Sequence, residues 1–196
     1  MPHGTATSVC VYCGSRFGQD RRYRAAAEAT GRAIAGAGMR LVFGGGTQGL
    51  MGAAAGAARD AGGSVLGVIP TFLREKEGLL EGISHDVVET MHERKIRMFD
   101  ASDAFCVLPG GIGTLEEMVE VISWSSLALH RKPVILLNVA GYWDRFVDLI
   151  EHVAGEGFAY PGLQDTLIVI EKPADLVATV EAHRQQVGVE EKRSTA

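Results

Sequence analysis

A chain of 196 residues, 46% of them hydrophobic, is long enough to bury one substantial core and falls in the single-domain size range. Its 19 basic and 24 acidic side chains leave a net charge of −5, which argues against a role on a nucleic acid polymer or an acidic membrane but lets a small anion bind locally. Three Cys cannot build the disulfide framework of a small secreted domain, and Met1–Ser8 lacks the basic start and apolar stretch of a secretory signal, so a cytoplasmic setting is expected.

Along the chain, short runs rich in β-branched residues alternate with helical patterns. Strands are predicted at Ser8–Tyr12, Arg40–Phe43, Ser64–Ile69, Ala104–Leu108, Val134–Leu137 and Leu167–Val169, and helices at about 20–37, 49–61, 91–101, 114–129, 143–154 and 173–186. This alternation predicts an α/β domain over 1–186 with a doubly wound, mostly parallel sheet carrying helices on both faces. Thr71–Thr90, with mixed charges and scattered Gly, reads as one long irregular connection, and 187–196 as a disordered, solvated tail. The uncharged stretch Leu41–Ala58 has the length of a membrane span, but Gly44, Gly45, Gly46, Gly49 and Gly52 interrupt it.

The 25 Gly are the compositional oddity, and two clusters of them fall where strands end and helices begin. In such folds ligands bind beyond the carboxyl ends of the strands, where helix N-termini offer unpaired N–H groups and a positive dipole. The first cluster, Gly44-Gly45-Gly46-Thr47-Gln48-Gly49-Leu50-Met51-Gly52, opens an Ala-rich helix; it can let backbone amides approach a phosphate or simply form a tight turn. The second, Pro109-Gly110-Gly111-Ile112-Gly113-Thr114-Leu115-Glu116-Glu117, places Thr114 to cap the next helix, with its hydroxyl serving a backbone amide or a phosphate oxygen. Thr114 and Glu117 also match a capping box, while a carboxylate beside a sugar phosphate points to chemistry on the sugar. Upstream, Met91-His92-Glu93-Arg94-Lys95-Ile96-Arg97-Met98 puts cationic groups near an apolar helix face, readable as a solvated surface or as part of a site.

Taken together, these three segments resemble the Lonely Guy family of cytokinin riboside 5′-monophosphate phosphoribohydrolases, often mislabelled lysine decarboxylases. The resemblance runs from Val11-Tyr12-Cys13-Gly14-Ser15 to the last helix. It implies a Rossmann-like homodimer that hydrolyses the N-glycosidic bond of N6-modified adenosine monophosphates without a cofactor, releasing free base and ribose 5-phosphate. It further implies Arg94 and Glu117 as the catalytic pair. Substrate contacts would come from Gly45, Gly46, Lys95, Gly111, Ile112, Gly113, Thr114, Leu115 and Glu116, with Glu77 of the irregular segment and Ser123 also near the ligand.

The chemistry is consistent with those roles. Breaking an N-glycosidic bond builds positive charge on the ribose and negative charge on the departing purine, so a carboxylate near C1′ lowers the barrier. Arg94 holds its proton at all working pH values and suits electrostatic stabilisation rather than acid catalysis. A general AMP nucleosidase and a non-catalytic nucleotide or cofactor carrier are the alternatives. A pyridoxal-phosphate decarboxylase needs a Schiff-base lysine, and of Lys76, Lys95, Lys132, Lys172 and Lys192 only Lys95 belongs to a plausible site, paired there with Arg94. Cys10 and Cys13 lie three apart on a strand and face opposite sides, which predicts buried structural thiols. The six His lack metal-ligand spacing, so no metal is expected. Trp124 and Leu129 read as core or dimer contacts, and Glu120 as a solvated helix edge.

Overall fold

The computed structural model describes residues 6–159 and 166–194. Seven strands form one parallel sheet: β1 (Ser8–Tyr12), β2 (Arg40–Phe43), β3 (Val65–Pro70), β4 (Ser84–Val88), β5 (Ala104–Val107), β6 (Val134–Leu137) and β7 (Leu167–Ile170). Among the described residues the helices are α1 (Arg21–Gly36), α2 (Gly49–Asp60), α3 (Thr71–Glu77), α4 (Met91–Asp100), α5 (Ile112–Ser126), α6 (Asp144–Gly155) and α7 (Leu176–Ser194). The segment expected as a solvated tail is therefore helical as far as Ser194. None of these helices is long and apolar enough to cross a membrane.

The spatial order is β4-β3-β2-β1-β5-β6-β7, every neighbour parallel. The chain winds outward from β1 to β4, then returns to lay β5 on the other side of β1. The switch point is therefore between β1 and β5, where the connections at their carboxyl ends diverge and leave a crevice.

Strand alternation builds a core on each face. Val9, Val11 and Cys13 join Leu41, Phe43, Cys106 and Leu108 beneath α1, α2 and α7. Cys10 and Tyr12 join Val42, Val68, Phe105 and Leu136 with Met98, Met118 and Ile122 of α4 and α5. Cys10 and Cys13 thus occupy opposite faces, free and buried, with Cys106. On the first face, Gly31 lets α1 close on α2: a Cβ there would fall 2.0 Å from the Ala54 carbonyl oxygen.

The irregular segment differs from expectation. Thr71–Glu77 is a short helix, and Ser84–Val88 is an edge strand paired only with β3. Being half exposed, β4 carries Ser84, His85 and Asp86 where a buried strand would show an unbroken apolar run.

Candidate active site

Three strand-end connections converge on Gly14, just past β1. Its N–H donates to the Pro109 carbonyl oxygen after β5 (3.0 Å), and its own carbonyl accepts from the Leu50 N–H at the start of α2 (3.0 Å). Side chains larger than hydrogen have little room, since a Cβ on Gly14 would meet the Gly110 Cα at 3.3 Å. The three loops so tied frame a cleft of about 590 Å³ at the switch point. That lies within the range of small-molecule sites.

Arg94 forms the charged floor. It is the fourth residue of α4, and the helix start is fixed by a capping box in which the Thr90 hydroxyl accepts from the Glu93 N–H (3.1 Å) and Glu93 accepts from the Thr90 N–H (3.3 Å). The Arg94 Nε donates to the Val68 carbonyl oxygen (3.2 Å), Nη2 to the Gly44 carbonyl oxygen (3.3 Å), and Nη1 pairs with Glu117 Oε1 (3.2 Å). The two side chains are only 9% and 11% exposed. Burial raises the Glu117 carboxyl above its ordinary range, with Arg94 pulling it down and Glu116 pushing it up. The result is a fixed cation and a carboxylate whose protonation sits closer to neutrality than usual, both lining the cleft.

The opposite wall is the Pro109–Thr114 turn. α5 starts at Ile112 with Gly111 as its N-cap and no side-chain cap, three residues earlier than a Thr114 cap requires. Thr114 is instead a buried residue inside the first turn, packed so closely on Gly110 that a Cβ there would lie 2.1 Å from Thr114 Oγ1. Glu117 is consequently past the first turn and outside any capping box. Its neighbour Glu116 points elsewhere, since successive helical side chains diverge by about 100°. At Gly111 and Gly113 a Cβ would meet nothing within 4 Å. Among the described residues no packing calls for glycine there, and a ligand can approach the uncapped helix N-terminus over them.

Of the residues singled out from sequence, Arg94, Glu117, Gly111, Ile112, Gly113 and Thr114 line the cleft. Lys95, Glu116, Leu115, Ser123, Gly45 and Gly46 do not. Lys95 donates to Glu116 and Glu120 (3.0 Å to the latter), tying α4 to α5, and the Glu116 bond leads the rise in its pKa. Glu120 is thus an ion-pair partner rather than a solvated edge. Leu115 packs against the α4–α5 core cluster, and Ser123 is exposed on α5. Gly45 adopts φ +80° against Ile69, and Gly46 is buried in the turn. Glu77 ends α3, and its side chain lies outside those described. His92 is exposed, and Arg94 is held by the groups named above.

Sequence reading passed over Ser15, Arg16 and Phe17 of the β1–α1 loop, Leu73 of α3, and Tyr142 before α6, all at the cleft. The first three follow the carboxyl end of a predicted strand and are reachable by the same rule that flagged the glycine clusters. Tyr142 stands as far past the predicted strand Val134–Leu137 as Phe17 does past Tyr12, so the same rule reaches it. Cys13 also borders the cleft, but burial pushes its thiol, like that of Cys10, well above the ordinary value and Cys106 up to about 12, so none is a thiolate near neutrality.

A parallel, doubly wound sheet with a glycine-framed cleft at its switch point defines a Rossmann-like α/β protein with its candidate ligand site where that fold places one. A family model described as "Possible lysine decarboxylase" matches residues 51–180. A protein of Rhodococcoides fascians named cytokinin riboside 5′-monophosphate phosphoribohydrolase is 45% identical over 90% of this chain and 90% of its own length. The rice (Oryza sativa subsp. japonica) cytokinin riboside 5′-monophosphate phosphoribohydrolase LOG is 43% identical over 89% of this chain and 73% of its own. Among solved structures, the Moco carrier protein of Chlamydomonas reinhardtii superposes with a TM-score of 0.72 at 20% identity, covering 93% of this chain and 99% of that one, a likeness of fold. The chain belongs to the cytokinin riboside 5′-monophosphate phosphoribohydrolase, or Lonely Guy, family.

Proposed function

We propose that this protein hydrolyses the N-glycosidic bond of N6-modified adenosine 5′-monophosphates, giving the free base and ribose 5-phosphate. The observation that carries the reading is the buried Arg94–Glu117 pair on the cleft floor, across from an uncapped helix N-terminus. The amides at the start of α5 take the 5′-phosphate, over the open space at Gly111 and Gly113. Glu117, ionised, binds the ribose hydroxyls, stabilises positive charge developing at the ring and orients the attacking water. Arg94, fixed by two backbone carbonyls, holds Glu117 in place and favours its charged form. Phe17, Leu50, Met51 and Leu73 give the cleft an apolar side suited to a purine with a hydrocarbon N6 substituent.

Schiff-base chemistry has no support in this geometry: no lysine lines the cleft among the described residues, and Lys95 is engaged by two carboxylates. The reading includes a cytoplasmic setting and a homodimer, the dimer supported by apolar side chains exposed along α5 and just beyond it, Val119, Leu127 and Leu129.

The test is release of base and ribose 5-phosphate from isopentenyladenosine monophosphate, with AMP and the unphosphorylated riboside alongside. The expected result is a strong preference for the N6-modified monophosphate, with the riboside inert. Glu117→Gln should lower kcat/KM by about 10²–10³-fold while the protein still binds nucleotide. Better use of AMP would make the enzyme a general nucleosidase, and binding without any release would make it a carrier. Light scattering on the same preparation should weigh two chains.

A further inference from the structure

The Pro109-Gly110-Gly111 turn has little side-chain mass with which to fix its own orientation, so what holds its peptides matters. The Pro109 carbonyl is taken by the Gly14 N–H. The Gly110 carbonyl is taken by the hydroxyl of Tyr142, which reaches it from across the cleft. In a trans peptide the C=O and the next N–H point in opposite directions, so a bond that fixes the Gly110 carbonyl also fixes the direction of the Gly111 N–H. That N–H stands at the N-cap of α5.

Tyr142 is delivered by an unusual piece of backbone. Between β6 and α6 the turn Val139–Gly141 holds Ala140 at φ +57° and Gly141 at φ +70°, a left-handed conformation that a side chain such as that of Ala140 disfavours. A network around Asn138 sustains it: Asn138 Nδ2 donates to Asp144 Oδ1 (2.7 Å), and the Trp143 N–H donates to Asn138 Oδ1 (2.7 Å). Glycine suits position 141 because of this positive φ, and a Cβ there would also press on the Asp144 carboxylate, 2.5 Å from Oδ2. The Tyr142 ring is then wedged edge-on between Tyr23 (5.5 Å between centroids) and Trp143 (4.9 Å). Strained backbone kept in place by such a network is the pattern of a functional constraint.

We propose that Tyr142 is a positioning residue that aims the Gly110–Gly111 peptide, and with it the first amide of α5, at the phosphate of the bound nucleotide. This rests on the phosphate seat assigned above. Tyr142→Phe keeps the ring and its two aromatic contacts and removes only the hydroxyl, so the melting temperature should stay within a few degrees.

Calorimetric titration of wild type and Y142F with AMP and with adenosine, together with turnover of isopentenyladenosine monophosphate, decides the matter. The variant should bind AMP three- to tenfold more weakly, the effect of one lost hydrogen bond, and adenosine unchanged, with the kinetic loss falling on KM more than on kcat. Unchanged AMP affinity, or equal weakening of AMP and adenosine, overturns the proposal. Wild type that prefers AMP to adenosine yet releases no base defeats the hydrolase reading alone, and the affinity ratio still judges Tyr142. Wild type without that preference defeats the phosphate seat and the role of Tyr142 together.

Discussion

Gly44 shows how one hydrogen atom can make room for a buried guanidinium at the cleft. A Cβ at this position would lie 1.7 Å from Arg94 Nη2, whereas at Gly111 and Gly113 it would meet nothing. Because the obstacle is the end of a long side chain, Gly44→Ala can fold by pushing the guanidinium aside, at the expense of its bonds to the Gly44 carbonyl and Glu117. The expected outcome is a 10²–10³-fold loss of kcat/KM with a melting temperature lowered by only a few degrees, measured on the same preparation. Full activity would mean that the seat of Arg94 is dispensable. Sequence alone flagged this cluster as room for a phosphate, because glycine after a strand reads that way. That its first member instead makes room for an arginine fifty residues on depends on tertiary packing that no local pattern carries. Each of Arg94 and Glu117 was open to a site reading from its own segment, but their pairing was legible only through resemblance, and the divergence of Glu116 toward Lys95 needs the helix phase and the crossing of α4 with α5.

Among the elements, α4 links local sequence rules to the site. Thr90 and Glu93 close a reciprocal cap, and Arg94 and Met98, one turn apart, are its buried residues. Thr90→Ala should cost about 1 kcal/mol in urea unfolding. Its kcat/KM should change less than about threefold, as Arg94 is held independently by the Val68 and Gly44 carbonyls. A large loss of activity at intact stability would show that the cap, rather than those carbonyls, sets the guanidinium. Where an element is buried on both faces its pattern was readable: β1, β2 and β6 have the predicted bounds. Each failure has a physical cause. β4 is an edge strand with polar residues and so lacks the apolar run, and α3 is seven residues long with no side-chain cap. α5 begins at a glycine N-cap that competes with the nearby, better-known threonine signal.

Across the whole molecule, pH acts through two groups of opposite sign, the half-buried His130 and the buried Glu117. His130 joins three elements: its Nε2–H donates to the Val121 carbonyl of α5 (2.8 Å), Nδ1 accepts the Lys132 N–H ahead of β6 (3.1 Å), and its ring meets Phe99 of α4 edge-on (5.1 Å). This arrangement requires the neutral imidazole, since a protonated Nδ1 would face another donor. Burial first, and the charge of Lys132 after it, holds the His130 pKa below the ordinary value, outweighing its bond to Val121. Between the folded and unfolded pKa the unfolded chain binds more protons, so His130 contributes stability that is present above about pH 6.5 and lost as pH falls through its folded pKa. Glu117, shifted upward, works the other way: its contribution is present below the ordinary carboxylate range and lost as pH rises through its folded value. The two partly cancel in mildly acid solution, so wild-type stability alone is a poor reporter of either. The difference between wild type and His130→Gln isolates one. Urea midpoints from pH 5 to 8 should show that difference largest at neutrality and shrinking toward acid. A difference constant across the range would mean that His130 does not remain neutral in the folded protein, and the tie between α5 and β6 would need another source.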